Sequence, residues 1–361
     1  MTSEPSRRLA RLTVDLSAIC ANWRRFADLA GPGEAAAVVK ADAYGLGVRD
    51  VAPALALEGA RTFFVATLGE ALDLRDTLGE AQTIYVLNGP TYDDVGAFAP
   101  ARLFPVLNSL DQIGIWKAAG AEVAAALHID TGMNRLGLPL TDLGAAHDAL
   151  ARRDMPLVMS HLACASDPAH ALNALQLKRF TEVAAHFPGA RKSLAATSGA
   201  FCGAAYRFGL LRPGIGLYGD AGLDGDAQPL APAATLDAPI LQLRDIAAGE
   251  TVGYGATFTA PAPMRTATIA LGYADGYLRS ASGRGYGVLA GARCPILGRV
   301  SMDLITLDVT AAGGAAEVGS RVEMLGANVP LRDVAAAAGT ATYEVLTNLS
   351  GVARRHVRSA A

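Results

Sequence analysis

The stretch AAVVKADAYGLG, Ala36–Gly47, decides how the rest of the chain is read. Small and β-branched residues, Ala36 to Val39, run into one lysine, Lys40, and glycine follows Tyr44. The apolar run reads as a buried strand and the polar segment after it as a strand-to-helix loop. The run therefore delivers an amine to the mouth of whatever sheet it joins. Desolvation lowers the pKa of an amine held at the edge of an apolar core, which suits it to carbonyl condensation and proton transfer. Read locally, Lys40 is more readily an ordinary lysine at a strand end, so the decision rests on its surroundings.

Working outward, short apolar runs recur at Ala36–Val39, Thr62–Ala66, Thr83–Leu87, Leu103–Leu107, Ala125–Ile129, Leu157–Leu162, Ser193–Thr197 and Leu210–Leu217. Segments with helical spacing, such as Leu68–Leu78 and Ala169–Phe187, lie between them. This is the rhythm of repeated βαβ units and predicts an α/β fold, a parallel (β/α)8 TIM-like barrel. In such barrels chemistry sits at the C-terminal ends of the strands. Lys40, Arg135, His161 and Ser198 fall at or beyond the predicted strand ends, and Arg212 lies within the eighth run.

Before the first run, Arg11–Leu16 alternates like a strand, and Ser17–Ala30 places Ile19, Trp23 and Phe26 on one helical face. The residues up to 10 are expected to form a mobile tail. After Gly219 the character changes. Asp220–Ala234 reads as a linker, and alternating runs follow at Ile240–Ile246, Arg265–Leu271, Tyr286–Leu289, Cys294–Val300, Leu304–Val309 and Arg321–Leu325. Gly-rich turns between them predict a mainly antiparallel β domain, closed by short helices at Leu331–Ala338 and Tyr343–Leu349. The expected organisation is a barrel over residues 11–230 and a β domain over residues 231–361, with the first strand a candidate member of the second.

Composition narrows the function classes. Of 361 residues 51% are hydrophobic and 18% charged, which provides for a large core. The 31 basic and 34 acidic residues leave a formal charge of -3 with no basic run, which speaks against nucleic acid or an acidic membrane as partner. Cys20, Cys164, Cys202 and Cys294 are scattered, without the pairing of a zinc site or disulfide framework. No apolar run approaches the ~20 residues needed to span a bilayer, and no secretory leader opens the sequence, so a cytoplasmic protein is expected.

Seven phrases, VVKADAYGLG, HIDTGMNRLG, RPGIGLYG, VGYGATF, LGYADGY, GRVSMDL and TYEVLTNLS, spread from Lys40's strand to Ser350, resemble the fingerprints of the alanine racemase family. The resemblance implies a homodimer that uses pyridoxal 5'-phosphate (PLP) to interconvert L- and D-alanine, serving D-alanine supply for the cell wall or its catabolism. It implies that Lys40 holds PLP as a Schiff base and acts as base on one substrate face, with Tyr254 of the partner subunit as base on the other. Removing the α-proton from one side and returning it on the other is natural work for two bases. A phenol's reference pKa is ~10, so Tyr254 needs help near neutrality.

By the same resemblance Arg212 faces the pyridine nitrogen. A guanidinium only donates, so it disfavours ring protonation and weakens the electron sink, which suits a racemase better than a related decarboxylase. His161 packs by the ring. Tyr44, Ser198, the backbone at Gly214 and Ile215, and Tyr343 hold the phosphate. Arg135, with Met302 and Asp303 of the partner subunit, lines the substrate carboxylate site, and Tyr273 narrows the entrance. The chain departs from the pattern at His128, where some members carry a carbamylated lysine that orients the arginine; histidine forms no such stable carbamate, so the support of Arg135 must differ. The triplet at Ser198, SGA, is a smaller variation. A same-fold racemase of serine or lysine is the alternative, and the pocket around Tyr273 and Met302 would decide between them.

Overall fold

The computed structural model describes residues 9–120, 124–150, 155–225 and 230–358. Most of the expected tail, and residues 226–229 of the expected linker, lie outside the described residues. The chain divides into two compact units: Ile19–Ala43 with Val48–Ala231, and residues 1–18 with Tyr44–Gly47 and Pro232–Ala361.

The first unit is the parallel barrel. Strands Ala37–Val38, Thr62–Val65, Thr83–Val86, Phe104–Leu107, Ala126–Asp130, Leu157–Met159 and Arg191–Ser193 pair in this order. Most of their residues, from Ala37–Val38 to Leu157–Met159, are apolar on both faces because helices cover one side and the barrel interior the other, while Arg191–Ser193 is polar. Phe63, Phe64, Ile84, Leu107, Leu127 and Val158 are fully buried. Each such side chain contributes about 1.5–3 kcal/mol of burial free energy. Leu210–Leu211 completes the ring, pairing with Glu34–Ala35 on one side, while the Ala196–Arg212 bridge joins the other.

Two runs are shorter than their apolar pattern suggests. The last strand stops at Leu211 where Leu210–Leu217 was expected, because Pro213 has no N–H for a ladder and the chain turns into a 3-10 helix at Ile215–Tyr218. The seventh strand is Arg191–Ser193 rather than Ser193–Thr197. Helix Leu68–Leu78 matches its expected span and starts at a capping box formed by Thr67 and Glu70. Helix Leu16–Ala30 buries Ile19 and Phe26 completely, and the Trp23 indole N–H donates to Ala35 O at 3.0 Å.

The second unit is an antiparallel sheet in the order Met264–Ile269, Ile305–Asp308, Ala292–Leu297, Tyr286–Leu289, Arg321–Leu325, Ala234–Ile246, Arg11–Asp15 and Ala353–Val357, the last pair parallel. Met264–Ile269 also pairs with the 13-residue strand Ala234–Ile246 and closes the sheet on itself. Register shifts at Leu236/Asp237 and Ile240/Gln242 bend that strand so that its two ends serve different neighbours. Asp237 pairs with both Arg11 and Arg321 across the sheet. Among the described residues no helix is long and apolar enough to cross a membrane.

Candidate active site

Lys40 stands where the first barrel strand ends. Val39 N–H donates to Phe64 O at 2.9 Å, and then Ala41, Asp42, Ala43 and Tyr44 all adopt left-handed backbone, with φ of 53°, 55°, 53° and 57°. For L-residues this costs roughly 1–2 kcal/mol each. Hydrogen bonds fix it: Ala41 N–H to Glu70 Oε1 at 2.7 Å, Val48 N–H to Asp42 Oδ1 at 2.8 Å, and Ala43 N–H to Val39 O at 2.9 Å. Gly45 follows with φ +83°, and a Cβ there would sit 2.7 Å from Leu346 O, so only glycine fits. The Lys40 side chain is half-buried. Burial pushes its amine below the usual lysine value, the Arg135 charge adds to this, and Glu70 opposes it. Such an amine is a better nucleophile and a better base near neutrality.

The other predicted barrel-mouth residues act on one another. His161 is held down to about 3, first by burial, then by the charges of Arg212 and Arg135, with His128 and Lys40 adding to them. Arg212 is 3% exposed. Its guanidinium donates to Ser193 Oγ, to Ser160 O at 2.5 Å and to Leu194 O at 3.4 Å. Burial lowers it to about 9, so it stays charged at neutral pH. Arg135 is exposed in the loop after strand Ala126–Asp130, where Asp130 Oδ1 accepts the N–H groups of Gly132 and Met133 at 2.8 Å.

His128 is buried, and its Nδ1 lies 2.8 Å from Asn108 Oδ1. The Asn108 amide nitrogen donates to Leu87 O, Val106 O and Gln112 Oε1, which fixes the oxygen toward the imidazole. Nδ1 therefore carries the hydrogen, and Nε2 is the acceptor. Burial, reinforced by Arg212, lowers His128 to about 4, so the ring is neutral.

Pattern reading did not single out Asn108 or Gln176. Gln176, fully buried, donates to His161 O at 2.9 Å and accepts Ala163 N–H at 2.9 Å, anchoring the His161 loop. An isolated Asn or Gln gives no periodic signal, whereas T-L-G-E at Thr67–Glu70 does carry the capping-box spacing.

Thr197 organises the turn after the last strand. Its Oγ1 accepts the N–H groups of Gly214 at 3.0 Å and Gly216 at 3.1 Å, and Ser198 Oγ donates to Gly222 O at 2.8 Å. An anion at Gly214 would share that N–H with Thr197, and one at Ser198 would need the hydroxyl to turn. Ile215 opens the short 3-10 helix that follows.

The remaining predicted residues belong to the β unit. The rings of Tyr44 and Tyr343 lie 6.1 Å apart, and burial raises the Tyr44 phenol. Tyr254 sits at the tip between the paired strands Thr251–Val252 and Phe258–Thr259, 72% exposed. Tyr273 and Met302 are 41% and 54% exposed. Their loops are joined: Tyr273 N–H donates to Ser301 O and Ala274 N–H to Met302 O, and a Cβ on Gly272 would collide with Met302 O and Asp303 N.

The barrel mouth thus gathers three cations, Lys40, Arg135 and Arg212, beside two neutral imidazoles. This donor set fits a group carrying a phosphate and an aldehyde: the lowered amine for the carbonyl, guanidinium charge and turn N–H groups for the anion. Among the described residues no cluster of His, Cys, Asp or Glu is placed to hold a metal ion.

Comparison with known proteins identifies the family. The models of the alanine racemase N-terminal and C-terminal domains match residues 14–222 and 233–357. An alanine racemase of Methylobacterium sp. (strain 4-46) is 48% identical over 347 residues, 94% of this chain and 95% of the relative. The crystal structure of alanine racemase from Bartonella henselae with covalently bound pyridoxal phosphate superposes with a TM-score of 0.92 at 37% identity, covering 98% of this chain and 100% of that one. The biosynthetic alanine racemase of Pseudomonas aeruginosa gives a TM-score of 0.92 at 37% identity, covering 97% and 100%. With both domain models matched in order and relatives alike over nearly the whole length, the chain belongs to the alanine racemase family.

Proposed function

We propose that this protein is a PLP-dependent racemase that interconverts L- and D-alanine, with Lys40 and Tyr254 of the partner subunit as its two bases. The observation that carries the reading is the desolvated Lys40 amine sharing its barrel mouth with a charged, immobilised Arg212. Bound there, PLP supplies an electron-accepting ring that makes the α-proton of an amino acid removable.

Lys40 would hold the cofactor through its amine, then take or give the Cα proton on the face it occupies. Arg212, donor-only and locked by its acceptors, would keep a ring nitrogen opposite it unprotonated. Ser198, the N–H groups of Gly214 and Ile215, and the Tyr44 and Tyr343 hydroxyls would hold the phosphate. Arg135, Met302 and Asp303 would set the substrate carboxylate. His161, buried beside Arg212 and held neutral, would pack against the ring without adding charge to a cationic site. Tyr254 of the partner subunit would give its own phenol proton on the opposite face while Lys40 keeps the one it removed, or the reverse, so that the configuration at Cα inverts. The exposure of Tyr254, Tyr273, Met302 and Leu304 on one unit supports a homodimer that covers them.

Two experiments test this. A chiral assay over a panel of amino acids with added PLP is expected to give alanine the highest kcat/KM in both directions; serine or lysine ahead would replace the substrate. Coexpression of Lys40→Ala, inactive alone, with the crippled Tyr254→Phe is expected to restore about a quarter of wild-type activity, since statistical pairing builds one intact site in half of the dimers. No recovery, with dimers present, would overturn the shared site.

A further inference from the structure

The four residues that follow Lys40 are the most strained backbone of the barrel mouth. Among the described residues no other two neighbouring non-glycine residues both have positive φ. Strain of this kind persists only where surrounding structure over-determines it, and it calls for a reason. The surrounding structure here includes a carboxylate that does more than cap its own helix. Glu70 Oε2 accepts the N–H groups of Ala66 at 2.7 Å and Thr67 at 3.1 Å, and Thr67 Oγ1 accepts Glu70 N–H in return. That completes the helix start. Oε1 reaches out of the helix to the neighbouring strand end and takes Ala41 N–H at 2.7 Å. Lys40 is therefore tethered on both sides, by Val39 N–H on Phe64 O and by Ala41 N–H on Glu70.

We propose that Glu70 is a positioning residue for Lys40: through Ala41 it holds the left-handed turn that sets where the amine leaves the strand. The inference rests on the reading of Lys40 as the base. The two oxygens divide the work, one for the helix and one for the lysine. The same carboxylate offsets the Arg135 charge on the amine. Rotation of the turn would move the amine away from the Cα proton, and misplacement of about 1 Å can cost about a hundredfold in rate.

The test compares holoenzyme variants that separate the two oxygens' duties. Thr67→Ala removes the reciprocal half of the cap, at about 1 kcal/mol of stability, and leaves Ala41 N–H its partner. Glu70→Ala removes both. Glu70→Ala is expected to lower kcat by about tenfold or more, a barrier change of about 1.4 kcal/mol, with KM held within about twofold. Amide hydrogen exchange over residues 41–44 is expected to speed up by about tenfold. Thr67→Ala is expected to lower the melting temperature while kcat and that exchange stay near wild type. Glu70→Gln, with one acceptor oxygen in place of two, should fall between, and it decides against Thr67→Ala by the same readings if Glu70→Ala does not fold. Equal kcat losses in the Thr67 and Glu70 variants, or unchanged exchange over residues 41–44, overturn the proposal. A wild-type protein without racemase activity would instead sink the function above, while exchange still reports on the clamp.

Discussion

At the barrel mouth Arg212 is 3% exposed and donates to three acceptors, whereas in the β unit Tyr254 is 72% exposed at the tip of a two-stranded loop. His161 and His128 on the barrel side are strongly desolvated; Tyr273 and Met302 on the other present much of their surface. The first region is fixed by its own chain before any ligand arrives. The second is held in shape by backbone bonds such as Ala274 N–H to Met302 O, yet its side chains stay exposed among the described residues. The contrast teaches that substitutions in the two regions should fail differently: barrel-mouth changes should disturb folding and chemistry together, and β-unit changes chemistry alone.

The largest effect should come from Lys40→Ala, which is expected to abolish racemisation and the visible absorbance of bound PLP; a variant retaining both would end the comparison. Tyr254→Phe should cripple the reaction unequally in the two directions, read by isotope exchange at Cα from each enantiomer, with an unchanged melting curve. Equal losses both ways would remove its role as second base. Arg212→Gln should lower activity and also stability by about 1–3 kcal/mol, because it leaves buried oxygens without a donor; a urea titration reads this, and a variant as stable as wild type would erase the contrast. The smallest effect concerns acid.

Both imidazoles have folded values far below the unfolded 6.5, about 3 for His161 and about 4 for His128. Between those values and 6.5 the unfolded chain binds more protons, so the stability they contribute is present above about 6.5 and falls as pH drops toward 4. Urea midpoints measured from pH 7 to pH 4 should fall, and less steeply in His128→Asn. An identical slope in that variant would show that the ring does not titrate as described.

Much of this was legible in the sequence for a physical reason. Parallel strands are buried on both faces, so runs such as Thr83–Val86 and Phe104–Leu107 announce themselves by unbroken apolarity. The antiparallel runs Tyr286–Leu289 and Arg321–Leu325 lie where their alternation put them. Lys40 and His161 stood out as polar residues at the ends of apolar runs and Arg212 as a charge inside one, though their chemical roles came from the family resemblance. The left-handed turn left no trace, since Ala41, Asp42 and Ala43 carry no glycine signal, and the bonds that hold it come from Glu70 and Val48. The tautomer of His128 was equally hidden, because Asn108, twenty residues earlier, decides it.

The stretch after Lys40 depends on a very late part of the chain. His356 Nε2 donates to Leu46 O at 2.6 Å across 310 residues, and Arg354 donates to Gly45 O at 3.0 Å. A chain cut short before Arg354 would therefore leave the carbonyls of Gly45 and Leu46 without these two donors, so the fate of a segment read early in translation is settled by residues read almost last.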